Sequence, residues 1–160
     1  MRIFKNAFRT NSFKYNKLST ISRKYISLLA DPAGLTEDQI TIQASAINFA
    51  RNELLPNAGE WDENKHFPKD VYRKAAELGF GGIYVNEKYG GSGLGRMEAS
   101  VIFEGLSTGC VGSSAYLSIA NMCCWMVDQF GNEEQKLNWL PKMCSLEVSN
   151  HFHRHFQVIV

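Results

Sequence analysis

The chain is 160 residues long, 44% hydrophobic and 21% charged, enough for one domain with a real core plus a tail. Its formal net charge of +1 hides an asymmetry: residues 1–30 carry seven of the 17 Lys and Arg and no acid, leaving ten bases against all 16 acids, a net of −6, in the remainder. A mildly acidic body excludes nucleic acid as its natural partner, and no apolar run approaches the ~20 residues that cross a bilayer.

The head, MRIFKNAFRTNSFKYNKLSTISRKYIS, places Arg2, Lys5 and Arg9 on one helical face and Ile3, Phe4, Ala7 and Phe8 on the other. An acid-free, Arg- and Ser-bearing amphipathic start predicts a mitochondrial transit peptide over residues 1–25 and a matrix location. Arg23-Lys24-Tyr25 before Ile26-Ser27 resembles a matrix-protease site, with 26–34 as linker. A basic disordered arm and a membrane-surface helix are the alternatives.

The body opens with LTEDQITIQASAINFARNELLP, a helix that Thr36 caps with Gln39 completing a capping box. Ile40, Ile47 and Leu54, flanked by Ala44 and Ala50, mark its inner stripe, and Pro56 ends or kinks it. A polar connection with Trp61 and Asp62 follows. Pro68 starts a second helix, with Val71, Ala75 and Leu78 inward and Gly79 as its left-handed end. GIYV reads as a short extended piece with Ile83 and Val85 on one side. The third helix spans Arg96 to Ser107, with Met97, Val101, Ile102 and Leu106 inward. Ser113 or Ser114 opens a fourth, AYLSIANMCCWMVDQF, which only Ser118 and Asn121 interrupt before Asp128. Such a helix is buried on most sides, and at ~1.5 Å per residue it is too short to span a membrane. Gly131 ends it, Asn132 and Gln135 cap a fifth, and Pro141 stops that one. The predicted fold is an all-α bundle of about five helices with a glycine-rich hinge.

Four cysteines, Cys110, Cys123, Cys124 and Cys144, form no C-x-x-C pair. Their apolar surroundings predict buried free thiols, in keeping with a reducing compartment.

Seven of the 13 glycines fall between Gly79 and Gly95, which raises the prospect of a phosphate cradle. A dinucleotide fingerprint needs G-x-G-x-x-G. Gly79-Phe80-Gly81 fails at Tyr84, Gly91-Ser92-Gly93 fails at Arg96, and no glycine precedes a lysine as in a P-loop. The glycines read instead as a helix end, a turn at Gly90-Gly91, and a close pass under a helix start at Gly93 and Gly95.

The stretch LGFGGIYVNEKYGGSGLGRMEASVIFEGLSTGC resembles the N-terminal helical domain of the acyl-CoA dehydrogenases. So, in the same order, do Glu60-Trp61-Asp62, His66-Phe67-Pro68 and FGNEEQK at Phe130–Lys136. The resemblance covers 35–147 and is strongest to the short branched-chain members, on VIFEGLSTGC followed by AYLSIANMCCWMVDQFGNEEQ. It implies a flavoprotein oxidoreductase of branched-chain amino acid catabolism, with FAD as cofactor and an acyl-CoA thioester as substrate. A glutamate base and the flavin desaturate the Cα–Cβ bond there. Ser114 and Ser118, one turn apart, fall where the family lines the floor of its acyl pocket; the alternative for serines in a helix is bonding back to a carbonyl of the preceding turn.

After Glu147 the family pattern continues into a flavin-contacting Y-C-L-T-E-P segment, whereas this chain reads VSNHFHRHFQVIV, as a misread exon boundary or an alternative transcript would produce. The expectation is a family fragment whose tail, 148–160, is divergent and disordered. Alone it is expected to retain no FAD and to be inactive, with no catalytic, cofactor or metal residue assigned. Glu104 and Asp128 interrupt or end apolar helices and are weak candidates for a base, against simple helix-edge placement or pairing with Arg96. His151, His153 and His155 alternate, but no Cys or acidic ligand stands beside them to make a metal site. A second class of function is a non-catalytic module that self-associates or docks onto full-length dehydrogenase subunits.

Overall fold

A computed structural model describes residues 34–147. The chain divides into two units, 1–35 and 36–160, and the described helices lie in the second. The amphipathic head, the linker apart from Gly34, and the tail with its three histidines lie outside the described residues.

Among the described residues there are six α-helices and no strand: α1 (Glu37–Phe49), α2 (Ala58–Glu63), α3 (Lys69–Glu77), α4 (Arg96–Ser107), α5 (Val111–Phe130) and α6 (Glu133–Cys144). The expected all-α architecture is therefore present. The additional helix is α2, one and a half turns formed by the polar Trp61 connection.

Thr36 and Gln39 form the reciprocal capping box: Thr36 Oγ1 accepts the Gln39 N–H at 3.3 Å, and Gln39 Oε1 accepts the Thr36 N–H at 3.0 Å. Beyond Phe49 the helix widens into a π-turn over Ala50–Leu54. The inner stripe runs through Ala46, Phe49, Ala50 and Leu54, while Ile40 and Ala44 face outward, contrary to expectation. Small residues decide this choice. Where α1 crosses α4, a side chain on Gly105 would strike Ala46, and one on Gly109 would strike the Ala50 backbone. The helix backbones approach closely there, which larger residues at 46 or 50 would prevent.

Pro68 precedes α3, and Gly79 ends it at φ 85°. Leu78 was expected inward but lies at the C-cap, where the chain turns away, and is half exposed. Tyr72 enters the core in its place. The GIYV segment is a set of turns, not an extended piece, although Ile83 and Val85 are fully buried. Helix α4 has the expected bounds. Only Met97, in its first turn, faces solvent against expectation, and Ala99 takes the inward position.

Helix α5 starts before either serine. Cys110 is its N-cap, with Sγ accepting the Ser113 N–H at 3.4 Å, so Ser113 and Ser114 lie inside the first turn. In α6 the Asn132–Gln135 capping box forms as predicted, but Pro141 lies inside the helix, which continues to Cys144. Proline removes one helical hydrogen bond, and so near the end the loss is tolerated.

The core has two parts. The larger joins the π-turn, the turns that follow α3, and helices α4 and α5 through Leu54, Ile83, Ile102, Leu106 and Leu117, all with essentially no exposure; each contributes ~1.5–3 kcal/mol by burial. The smaller joins α5 to α6 through Val85, Tyr89, Cys124, Leu140 and Met143.

Candidate functional site

Helix α5 has two unlike sides. Leu117, Asn121, Cys124 and Asp128 are buried against the bundle. Val111, Ile119, Met122, Met126 and Phe130, spaced at helical intervals, are exposed, Val111 by 72% and Phe130 by 78%. The expectation that this helix is covered nearly all round is thus not met among the described residues, since a continuous apolar face stays open. Singly exposed apolar residues are ordinary, but a continuous row of them marks a contact or ligand surface.

Ser118 belongs to the open side, one turn from Met122 and from Ala115, and its hydroxyl donates to the Ala115 carbonyl at 2.8 Å. That bond satisfies the hydroxyl within its own helix and lets an apolar surface continue across it. Ser114 is buried, and its hydroxyl donates to the Phe103 carbonyl of α4 at 3.1 Å, tying α5 to α4. The two serines therefore have different surroundings, one on the open face and one in the helix interface.

Behind the start of α5, Phe67, Tyr72 and Tyr116 pack in tilted and edge-on contacts with ring centroids 4.6–4.8 Å apart. The Tyr72 hydroxyl donates to Ser113 Oγ at 3.2 Å, and burial pushes the phenol above its ordinary pKa. Arg96 does not pair with Glu104 or Asp128. Its guanidinium carbon lies 4.8 Å from the Tyr84 ring centre and 4.9 Å from that of Trp125, a cation held between two aromatic faces. Glu104 is exposed and Asp128 faces the core.

Asn121, at zero exposure, is the polar centre of the molecule. Its Oδ1 accepts the Ile83 N–H at 2.6 Å, and its Nδ2 donates to the carbonyls of Phe80 at 2.8 Å and Leu117 at 2.9 Å. The sequence signals it only as a lone amide in an apolar helix. The stacked arginine and the aromatic trio have no local signal, because each joins elements distant along the chain.

The glycine-rich connection is closed to phosphate by its own hydrogen bonds. Every backbone N–H from Gly90 to Gly95 donates within the protein: Gly90 to Glu87, Gly91 to Asn86, Ser92 to Gly82, Gly93 to Val85, Leu94 to Ile83, and Gly95 to the Glu98 carboxylate. No donor remains there for a pyrophosphate. Among the described residues no cluster of His, Cys, Asp or Glu can hold a metal ion, and no helix is long and apolar enough to cross a membrane. A shallow groove of about 530 Å³ runs along α1 between Thr41, Ser45, Asn48 and Asn52; it carries one carboxylate, Glu53, which is engaged by Lys74 at 2.8 Å.

The acyl-CoA dehydrogenase N-terminal domain matches residues 36–147. The mitochondrial isobutyryl-CoA dehydrogenase of Bos taurus is 48% identical over 125 residues, 78% of this chain and 30% of that protein. A solved FAD complex of PigA superposes with a TM-score of 0.68 at 28% identity, over 73% of this chain and 31% of that one. A glutaryl-coenzyme A dehydrogenase in complex with glutaryl-CoA does so with a TM-score of 0.67 at 28% identity, over 73% and 31%. The chain spans about a third of the length of the curated relatives it matches.

Proposed function

The chain belongs to the acyl-CoA dehydrogenase family, and from that premise we propose that residues 36–147 supply the helical wall of an acyl pocket. The enzyme of which they are part is an FAD-dependent dehydrogenase of the mitochondrial matrix, desaturating a short branched acyl-CoA such as isobutyryl-CoA in branched-chain amino acid breakdown. The carrying observation is the open face of α5, where Ser118 sits among Val111, Ile119 and Met122 with its hydroxyl turned back on its own helix. An acyl chain is apolar and gains by burial against such a surface, and a small residue leaves room for a branch.

FAD does not fit the described residues alone. Its pyrophosphate needs free donors or positive charge, and the glycine connection has spent its N–H groups. Bound FAD would be the hydride acceptor of the parent family. The part proposed for these residues is to bind the acyl chain and keep water from it. We accordingly expect the 160-residue polypeptide alone to retain no FAD and to show no turnover. Purification with added FAD tests this: a stoichiometric flavin absorbance band, or acyl-CoA oxidation, sinks it. The positive test is a chimera in which residues 36–147 replace the corresponding segment of the Bos taurus enzyme. The expected outcome is an active flavoprotein that prefers isobutyryl-CoA; an inactive but folded, FAD-loaded chimera counts against the pocket assignment.

A second reading is favoured by the same exposed row, and Leu137 and Trp139 of α6 are exposed as well. Such a surface suits docking onto dehydrogenase subunits without catalysis, or self-association. Capture of a full-length dehydrogenase subunit by the 160-residue chain supports it, and monodisperse monomer in the presence of that subunit refutes it. For the matrix location, the test is import into isolated mitochondria followed by N-terminal sequencing, with a new N-terminus near Tyr25 expected and an intact Met1 contradicting it.

A further inference from the structure

Where the second core cluster meets the glycine-rich connection, two thiols come together. Cys124, in the middle of α5, and Cys144, the last residue of α6, are exposed by 1% and 4% and pack in the same cluster. The Cys124 thiol donates its hydrogen to the Gly81 carbonyl, one residue before the glycine that the Cys144 side chain covers. Both lie against one short stretch of backbone. The Cys124 sulfur is 3.8 Å from the Gly81 carbonyl oxygen, and the Cys144 sulfur occupies the space that a side chain on Gly82 would need. The adjacent Cys123 is buried in the same helix but is not bonded to Cys144, and Cys110 lies at the far end of α5.

We propose that Cys124 and Cys144 are a dithiol site that a hydroperoxide converts to a disulfide, joining α5 to the end of α6. Cys144 is the attacking group. Interaction with the neighbouring Cys124 favours the Cys144 thiolate and lowers its pKa, while the same pairing, together with burial, raises the pKa of Cys124. The Cys144 thiolate attacks the terminal oxygen of the hydroperoxide. A sulfur–oxygen bond forms, the oxygen–oxygen bond breaks, and the alkoxide or hydroxide leaves to take up a proton. The Cys124 sulfur then attacks the Cys144 sulfenic acid, the sulfur–oxygen bond breaks, and water departs with the Cys124 proton. In sum, two thiols and one hydroperoxide give one disulfide, one alcohol (water, for hydrogen peroxide) and one water. Access comes from the end of α6. Helix ends open first, and Pro141 leaves the turn before this end one hydrogen bond short, at the Leu137 carbonyl.

The test treats the folded 160-residue chain with hydrogen peroxide, blocks the remaining thiols, digests with trypsin and identifies linked peptides by fragmentation mass spectrometry. The expected product joins peptide 97–136 to peptide 143–154 with loss of two hydrogens, and dithiothreitol reverses it. It persists in Cys123→Ser and disappears in Cys124→Ala and in Cys144→Ala, with circular dichroism confirming that each variant is helical. If either alanine variant does not fold, fragmentation of the Cys123→Ser product still places the bond. A link through Cys110 or Cys123, or peroxide consumption that leaves only sulfinic acid at Cys144, overturns the proposal.

Discussion

Asn121 holds Ile83 by its backbone: the amide oxygen of one lies 2.6 Å from the amide nitrogen of the other, thirty-eight residues apart and wholly shielded from water. The same side chain donates to Phe80, so a single amide fixes both ends of the turn that leads into the glycine-rich connection.

Replacing Asn121 with Ala strands the Ile83 N–H and the Phe80 carbonyl in the core. A stranded buried group costs ~1–3 kcal/mol, so a loss of about 2–5 kcal/mol in unfolding free energy is expected. Asn121→Asp keeps the acceptor for Ile83 but loses the donor, and should be harmful for a different partner. Urea unfolding measures both; an Asn121→Ala variant as stable as the parent contradicts the account.

Two glycines respond oppositely to a methyl group. In Gly91→Ala the new carbon meets the Val85 backbone carbonyl, so the connection must shift, at a cost of at least ~2 kcal/mol. Gly112, in the first turn of α5, has only the Cys110 sulfur nearby, at 3.9 Å, and Gly112→Ala should leave stability unchanged or raise it by up to ~1 kcal/mol. Thermal melts of the pair decide it, and equal melting temperatures would count against the packing described.

Glu133 predicts a pH dependence. Its carboxylate accepts from Lys88 Nζ at 3.0 Å and from the Tyr89 hydroxyl at 2.9 Å, and these bonds, Lys88 first, hold its pKa below the ordinary 4.5. A depressed folded-state pKa gives stability that is complete above the ordinary value and fades as pH falls through the folded one. The melting temperature of the parent should therefore exceed that of Glu133→Gln at neutral pH. The gap should close on acidification below about 4.5, and salt should narrow it because both partners are exposed. A gap that widens in acid would reverse the sign.

In the chimeric dehydrogenase, Ser118→Leu projects a branched side chain from the open face of α5. Crowding of a small apolar pocket by a few carbons changes specificity by ~1–3 kcal/mol, so kcat/KM for isobutyryl-CoA should fall roughly 10–200-fold with flavin content unchanged. Ser114→Ala, which removes only the tie to Phe103, should lower stability by about 1 kcal/mol and leave that preference intact. An unaltered kcat/KM in Ser118→Leu removes Ser118 from the pocket.

The capping boxes at Thr36 and Asn132, the bounds of α4 and the left-handed end at Gly79 were all legible in the sequence, because each rests on residues within one turn of one another. The failures are tertiary. Ala50 and Leu54 face inward as the stripe predicts, but nothing local signals Ala46, whose burial depends on Gly105 far along the chain. The start of α5 lies ahead of the serines that signal it because a cysteine sulfur, a weak acceptor, does the capping. Pro141 reads as a stop because nothing local shows that only the last turn follows it. Sequence position places Ser114 and Ser118 together, one turn apart on one helix, whereas their different surroundings depend on where α4 lies.

A stretch so rich in glycine suggests a joint about which the helices swing. With six consecutive amides engaged and Asn121 fastening the turn before them, its protons should exchange with deuterated solvent as slowly as those inside α4 and α5. The segment then behaves as a rivet, and any breathing of this domain must begin elsewhere.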